Sequence, residues 1–480
     1  MHGGRRHRGL TLSAGPQYRR RFPAWPLVLM ALVGLVDQID VGVLRGVLPF
    51  IQEEWGLSDT QVGILPAAFV LVNAIATIPA GWVADHFRRS RVIGFTLLSW
   101  SGLILLSAAA WNFPSMLAAR SVMGIGQAVD DPASTSLLGD AYPAPMRAKV
   151  FSWTQVSFFL GSGIGLAFGG FAAATWSWPW AFILVAPPSA LVAIACFRLH
   201  EPRRGEAELP PEMTWEEVDA QHIAPRRQES LAEEVGLGEF LRLAAVQLRA
   251  EIAMIFGIRT MRYVLIGVSA LLFTVSGIGV WLPIYHERYS GFSAEDATAV
   301  VGLLLGAGGL IGTFSGGWMS DHFAQRNPGG RIVVVVYSAV LCAVLFMVSF
   351  AIPAVPVRLT MQFIGVLAAA GAAPGLRAAM LDVTPPESRG VGASAFALCA
   401  AVLGPAAAPF VVGGLSELTG SLVIAFYLVL PPVIGGLLLL LRARRTIADD
   451  AAKILTKIAE EQQLLTQEHT RYSEEHPHSQ

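Results

Sequence analysis

The sequence predicts an all-α membrane protein with twelve transmembrane helices in two six-helix bundles related by a pseudo-two-fold axis. Three observations predict it. Hydrophobic residues make up 54% of the 480 and charged ones only 14%, against roughly 25% charged in a soluble domain. Most of the chain must therefore face lipid or other apolar helices. Apolar runs of about 20 residues, the length that crosses a bilayer core, recur twelve times. The chain also repeats itself. Gly81-Trp82-Val83-Ala84-Asp85-His86-Phe87 returns 236 positions later as Gly317-Trp318-Met319-Ser320-Asp321-His322-Phe323. Asp140, Pro143 and Arg147 return 242 positions later as Asp382, Pro385 and Arg389. Two unrelated loops at nearly one spacing mark a duplicated half of about 200 residues.

Taken in order, the expected spans are 24–50, 58–82, 91–111, 114–141, 146–174 and 178–198, then 259–285, 293–320, 331–352, 355–382, 389–415 and 420–442. They divide the chain into a basic N-terminal segment (1–22), an N-terminal bundle (23–198), a polar linker (199–258), a C-terminal bundle (259–442) and a tail (443–480). In the linker, Leu231, Val235, Phe240, Leu241, Leu243, Ala244 and Leu248 recur at helical spacing among Glu and Arg. Residues 228–257 thus read as an amphipathic surface helix bracing the halves, or as a mere tether. The first span follows the basic segment at full length and lacks a small-residue cleavage pattern, so no removable signal peptide is expected.

Lys and Arg set the orientation. Arg88, Arg89, Arg91, Arg147, Lys149, Arg203, Arg204, Arg326, Arg331, Arg389 and Arg442 fall on one set of connections. Glu53, Glu54, Asp59, Glu295, Asp296 and Glu417 fall on the other. The positive-inside rule puts both termini in the cytoplasm of a multi-pass plasma (inner) membrane protein. Cys196, Cys342 and Cys399 lie inside apolar runs without metal-ligand spacing and read as buried small side chains. No phosphate loop, nucleophile elbow or metal-binding spacing is present, so the expectation is neither an enzyme nor an ATP-driven machine, with no cofactor, no metal and no nucleic-acid partner.

Ionisable groups at bilayer depth cost at least ~2.5–3.5 kcal/mol each and need a partner, a wet cavity or a task. Asp37 and Asp40 share a face of the first span near mid-depth, with Arg45 nearer its far end. On the fourth span Arg120, Gly124, Gln127 and Asp131 recur at intervals of 4, 3 and 4, one polar stripe along one face. Arg120 stands at about the depth of Asp40, which makes these two the expected ion pair. The pair either couples protonation to anion binding or only fixes two helices in register. Arg377, in the tenth span, either faces the cavity or pairs with Asp382. Arg358 is expected to snorkel from the end of that span. Asp85 ends a helix where it can pair with Arg88, Arg89 or Arg91. Gly81, Asp85, Arg88, Arg89, Arg91, Asp140 and Arg147, with Gly317, Asp321, Asp382 and Arg389 in the second half, read as a cytoplasmic latch between the bundles.

At these residues the chain resembles the major facilitator superfamily. The superfamily's loop signature, G-x-L-a-D-r-x-G-r-r/k, is matched from Gly81 to Arg89, with His86 and Arg88 in place of a basic residue and a glycine. Arg120, Gly124 and Gly126 match R-x-x-x-G-x-G on the fourth span, and Gly161, Gly163, Gly165, Gly169 and Gly170 resemble the fifth-span hinge without its proline. Ile39-Asp40, the Asp-x-Phe after the second span, Gly139-Asp140 and Gly413-Gly414-Leu415-Ser416-Glu417 are similar to the spinster branch, which is associated with lysophospholipid and sphingosine-phosphate export. Val41 stands where that branch has Arg, and Gln127 where it has Glu. The resemblance implies a monomeric, proton-coupled secondary transporter working by alternating access among membrane lipids. Its first and fourth spans would line the cavity, and its substrate would be an amphipathic anion such as a lysophospholipid. Asp40, Asp37 and Asp131 would carry protons, while Arg120, Gln127, Arg45 and Arg377 would meet substrate. A proton-coupled multidrug or organic-solute exporter, or a non-transporting sensor, are the competing readings.

Overall fold

The computed structural model describes residues 23–199, 201, 237–257, 259–326, 330–383 and 391–442. Its helices are α1 (Trp25–Trp55), α2 (Asp59–His86), α3 (Arg89–Ala108), α4 (Phe113–Ala141), α5 (Ala144–Thr175), α6 (Trp178–Phe197), α7 (Leu237–Gly257), α8 (Arg259–Ser290), α9 (Ala294–Arg326), α10 (Gly330–Ser349) and α11 (Val355–Val383). The series closes with α12, which runs Val391–Ala401, loosens into a π-turn at Val402–Ala406 around Pro405 and continues as Ala407–Thr419, and with α13 (Leu422–Arg442). Leaving α7 aside, these are twelve long helices. Eleven are long and apolar enough to cross a membrane, and the exception, α4, is the one carrying Arg120, Asp130, Asp131 and Asp140. Inside lipid every backbone amide needs a protein partner, which leaves helices and closed barrels, and continuous apolar runs of about 20 residues without strand alternation take the helix.

Local chemistry sets the ends. Gly56 closes α1 in the left-handed conformation at φ 61°, returning its amide to the Gln52 carbonyl. Ser58 and Gln61 form a capping box on α2, and Asn112 with Ser115 does the same on α4. The amphipathic helix is described over Leu237–Gly257, and residues 228–236 of the expected segment lie outside the described residues. Its Leu248 and Ile252 pack on a core built from α8, α10, α11, α12 and α13, while Val246 and Phe256 are exposed.

Glycines decide how closely the helices approach. On α5, Gly161, Gly165 and Gly169 face α1. A Cβ at Gly161 would stand 2.6 Å from the Leu35 carbonyl oxygen, and one at Gly42 2.6 Å from that of Ser162. Gly163 and Gly170 face the other way, onto Gly302 and Thr298 of α9. One helix thus carries one glycine face for its own bundle and another for the partner bundle. The second crossing between halves sets Gly63 of α2 on Pro409 of α12. Both crossings lie toward the end of the molecule that bears Asp59. Large apolar side chains such as Phe95, Leu191 and Leu303 cover the exterior.

Arg358 departs from the expectation. It is 4% exposed, and instead of snorkelling it donates to the carbonyls of Ile352, Pro353 and Tyr289 and to Ser290 Oγ. Helix ends left bare at the α8 and α10 termini supply acceptors that a guanidinium satisfies in place.

Candidate functional site

The site is built on α1 and α4. Asp40 and Arg120 meet at 2.8 Å between Oδ2 and Nη1, with Asp40 1% and Arg120 2% exposed. The guanidinium lies over the Phe182 ring at 4.5 Å. The Trp100 indole approaches the same carboxylate without completing a hydrogen bond. Asp40 Oδ1 and Arg120 Nε and Nη2 are buried without a hydrogen-bond partner among the described residues. A pair of buried charges does not by itself outweigh the loss of their hydration. Here both groups also keep unused capacity, one acceptor and two donors.

One turn away, Asp37 and Gln127 form a second, half-buried layer. Asp37 accepts from Gln127 Nε2 at 3.0 Å and from Gln38 Nε2 at 2.8 Å, while Asn73 of α2 donates to Gln127 Oε1 at 3.4 Å. Gly124 holds this arrangement together: a Cβ there would lie 2.6 Å from the Phe69 carbonyl oxygen and 2.9 Å from the Asn73 amide, so α4 can lie on α2 only without a side chain. Arg45 points at the opposite bundle, where a Cβ on Gly279 would lie 3.5 Å from Arg45 Nη1; its Nε is buried and unpartnered among the described residues. Asp130 accepts from Ser134 within α4.

The structure therefore brings Asp40, Arg120, Asp37 and Gln127 into one cluster and leaves Arg45 apart from it, against α8. At the other end Arg89, 4% exposed, pairs with Asp140 and with Glu201 at 3.3 Å, and also donates to Ser136. Arg88 and Arg91 are exposed. Gly81 and Gly317 lie within α2 and α9. The side chains of Asp85, Asp131, Arg147, Asp321, Arg377 and Asp382 fall outside the described residues, as does Arg389 altogether. Glu201, Asn73, Phe182 and Trp100 were not singled out from the sequence. Asn73 alone had a usable signal, an amide in the middle of an apolar span.

A family model described as the Major Facilitator Superfamily matches residues 30–409. The gallate transporter of Pseudomonas putida is 28% identical over 399 residues, 77% of this chain and 80% of its own length. The sphingosine-1-phosphate transporter SPNS2 of Danio rerio is 27% identical over 197 residues, 40% of this chain and 39% of its own. The crystal structure of a bacterial homologue of the human lysosomal transporter spinster, inward-facing and unoccupied, superposes with a TM-score of 0.66 at 20% identity. It covers 91% of this chain and 98% of that one. The chain belongs to the major facilitator superfamily of transporters and resembles its spinster branch.

Proposed function

We propose that this transporter moves an amphipathic organic anion, lysophospholipid-like, by proton-coupled alternating access, with both termini in the cytoplasm of the plasma membrane. The observation that carries the reading is the sealed Asp40–Arg120 pair with its unused donors. Paired, the two charges cancel. A proton on Asp40 removes the carboxylate's charge and leaves Arg120 cationic, with Nε and Nη2 free to hold an anionic head group. The substrate then replaces the charge that the proton removed, so proton and anion favour each other's binding while the Asp40 carboxylate and the anion compete for one guanidinium. Asp37, half-buried beside Gln127, is the carboxylate nearer to water and serves as the proton's first acceptor. Arg45, aimed across the bundle boundary, meets the anion from the other side. The arginine-rich end, at Arg88, Arg89 and Arg91, faces the cytoplasm.

A second reading is favoured by one observation: the gallate transporter, matched over most of both chains, carries an aromatic acid. The two readings share an anionic head on an apolar body. Proteoliposomes loaded with lysophospholipids, sphingoid phosphates or aromatic carboxylates, under an imposed pH gradient, separate them. Lysolipid movement that collapses in Asp40→Asn and Arg120→Ala while both variants stay folded supports the first reading. Movement of aromatic acids alone supports the second. Variants that unfold instead would reduce the pair to a register device.

A further inference from the structure

Two buried polar groups at the site stand beside each other without a bond. Trp100, in the middle of α3, is 3% exposed, and its indole Nε1 has no hydrogen-bond partner among the described residues. Asp40 Oδ1 has none either, and the indole N–H is the donor that approaches this carboxylate. Buried polar groups are satisfied roughly nine times in ten, so a spare donor beside a spare acceptor in one dry contact calls for a reason. An indole only donates and a carboxylate only accepts. Their polarities match.

The surroundings fix the indole and leave the carboxylate able to turn. Phe69 of α2 meets the Trp100 ring edge-on at 6.1 Å. From α4, a Cβ on Gly126 would stand 3.6 Å from Trp100 Cε3. Asp40 is held by one bond, Oδ2 to Arg120 Nη1, on a χ2 torsion that is broad and two-fold. A small rotation about it separates approach from bond. Arg120 is the charged group that acts on Asp40. Asp37, on the same helix, is engaged with Gln127 and Gln38, and Arg45 is set against Gly279. α5 presents Gly161 and Gly165 to this stretch of α1, and α6 sets Phe182 under the guanidinium.

An anion that takes Arg120 deprives the Asp40 carboxylate of its one donor. A buried carboxylate without a partner is costly, and a proton is one remedy. The Trp100 N–H is another: it leaves the charge in place and bonds it. A hydrogen bond to an ionised acceptor is roughly twice as strong as a neutral one, so the indole matters most when Asp40 is charged.

We propose that Trp100 is a positioning residue for the anion site, the second seat of the Asp40 carboxylate once an anion has displaced it from Arg120. Proton and indole are then alternative ways to satisfy one carboxylate, and Trp100 sets how steeply anion binding depends on pH. The proposal rests on the anion-transport reading above. Its test uses the full chain in nanodiscs, with nitrogen-15 spectra of the indole N–H groups and binding of two probes, gallate and oleoyl lysophosphatidate. In Arg120→Gln the Trp100 resonance should move downfield and exchange more slowly with solvent, and adding Asp40→Asn should abolish that response. The resonance is identified by its loss in Trp100→Phe or, where that variant does not fold, as the one whose response Asp40→Asn removes. Trp100→Phe keeps the aromatic body and deletes the N–H. It should weaken probe binding by about tenfold or more at alkaline pH, the loss of a hydrogen bond to a charged group. The loss should be much smaller at acid pH and absent in an Asp40→Asn background. Equal weakening at both pH values and in both backgrounds would make Trp100 a packing residue and overturn the proposal. So would indole spectra that Arg120→Gln leaves unchanged in folded protein. A Trp100 resonance that responds in a protein binding neither probe leaves the second seat standing and overturns the transport reading.

Discussion

Replacing Asp40 and Arg120 singly and together tests the site where its physics is sharpest. Asp40→Leu leaves a guanidinium 2% exposed that has lost its one carboxylate, its other nitrogens Nε and Nη2 having no partner among the described residues. Stripping one member of a buried ion pair costs about 3–5 kcal/mol, because the remaining charge is neither hydrated nor paired. Arg120→Met leaves Asp40 in the same position and also removes the stack on Phe182, so it should cost a similar amount. The double variant buries two apolar side chains and should lie within about 1–2 kcal/mol of the parent. The cycle therefore has a coupling energy of about 4 kcal/mol or more, readable from reversible unfolding in mixed micelles. Hydrogen bonds between membrane helices average only ~0.6 kcal/mol by the same method, so a sealed charge pair stands well clear of that background. Additive single effects, with coupling below about 0.5 kcal/mol, would falsify the description of a dry, mutually dependent pair.

Two further changes probe the frame. Gly42→Ala puts a methyl 2.6 Å from the Ser162 carbonyl oxygen and 2.7 Å from the Leu166 amide, backbone that cannot rotate away. It should lower stability by about 1–3 kcal/mol, whereas Gly34→Ala, on the same helix with nothing within 4 Å, should gain a few tenths to about 1 kcal/mol from helix propensity; melting of the two purified variants decides, and equal shifts would sink the close-approach argument. Arg89→Gln withdraws the cation that Asp140, Glu201 and Ser136 share at 4% exposure. It should cost about 2–4 kcal/mol and speed amide exchange in the first turn of α3, and unchanged exchange there would show that the cluster holds nothing.

The twelve spans, their order and their division into two halves were legible in the chain alone. A lipid-embedded backbone satisfies its amides in a helix or a closed barrel, and an unbroken apolar run of bilayer length selects the helix. The Asp40–Arg120 pairing was legible for a related reason: charges on two spans at equal depth have few other places to go. Helix ends were harder to read. The seventh span reads as closing at 285, yet α8 continues to Ser290 and carries Arg288 onto Asp59 of the other half. Asp59 and Glu417 read as ordinary loop acids, and Arg358 as a snorkelling cation rather than a cap for the α8 and α10 carbonyls. Arg358 depends on the packing of α8, α10 and α11 within one half, whereas the Asp59 and Glu417 contacts depend on partners up to 357 residues away, brought near by the angle at which the two bundles meet. Periodicity and depth are properties of one helix and can be read along it. The meeting of two bundles is set by glycine contacts such as Gly163 on Gly302 and Gly63 on Pro409, which only the tertiary structure could decide.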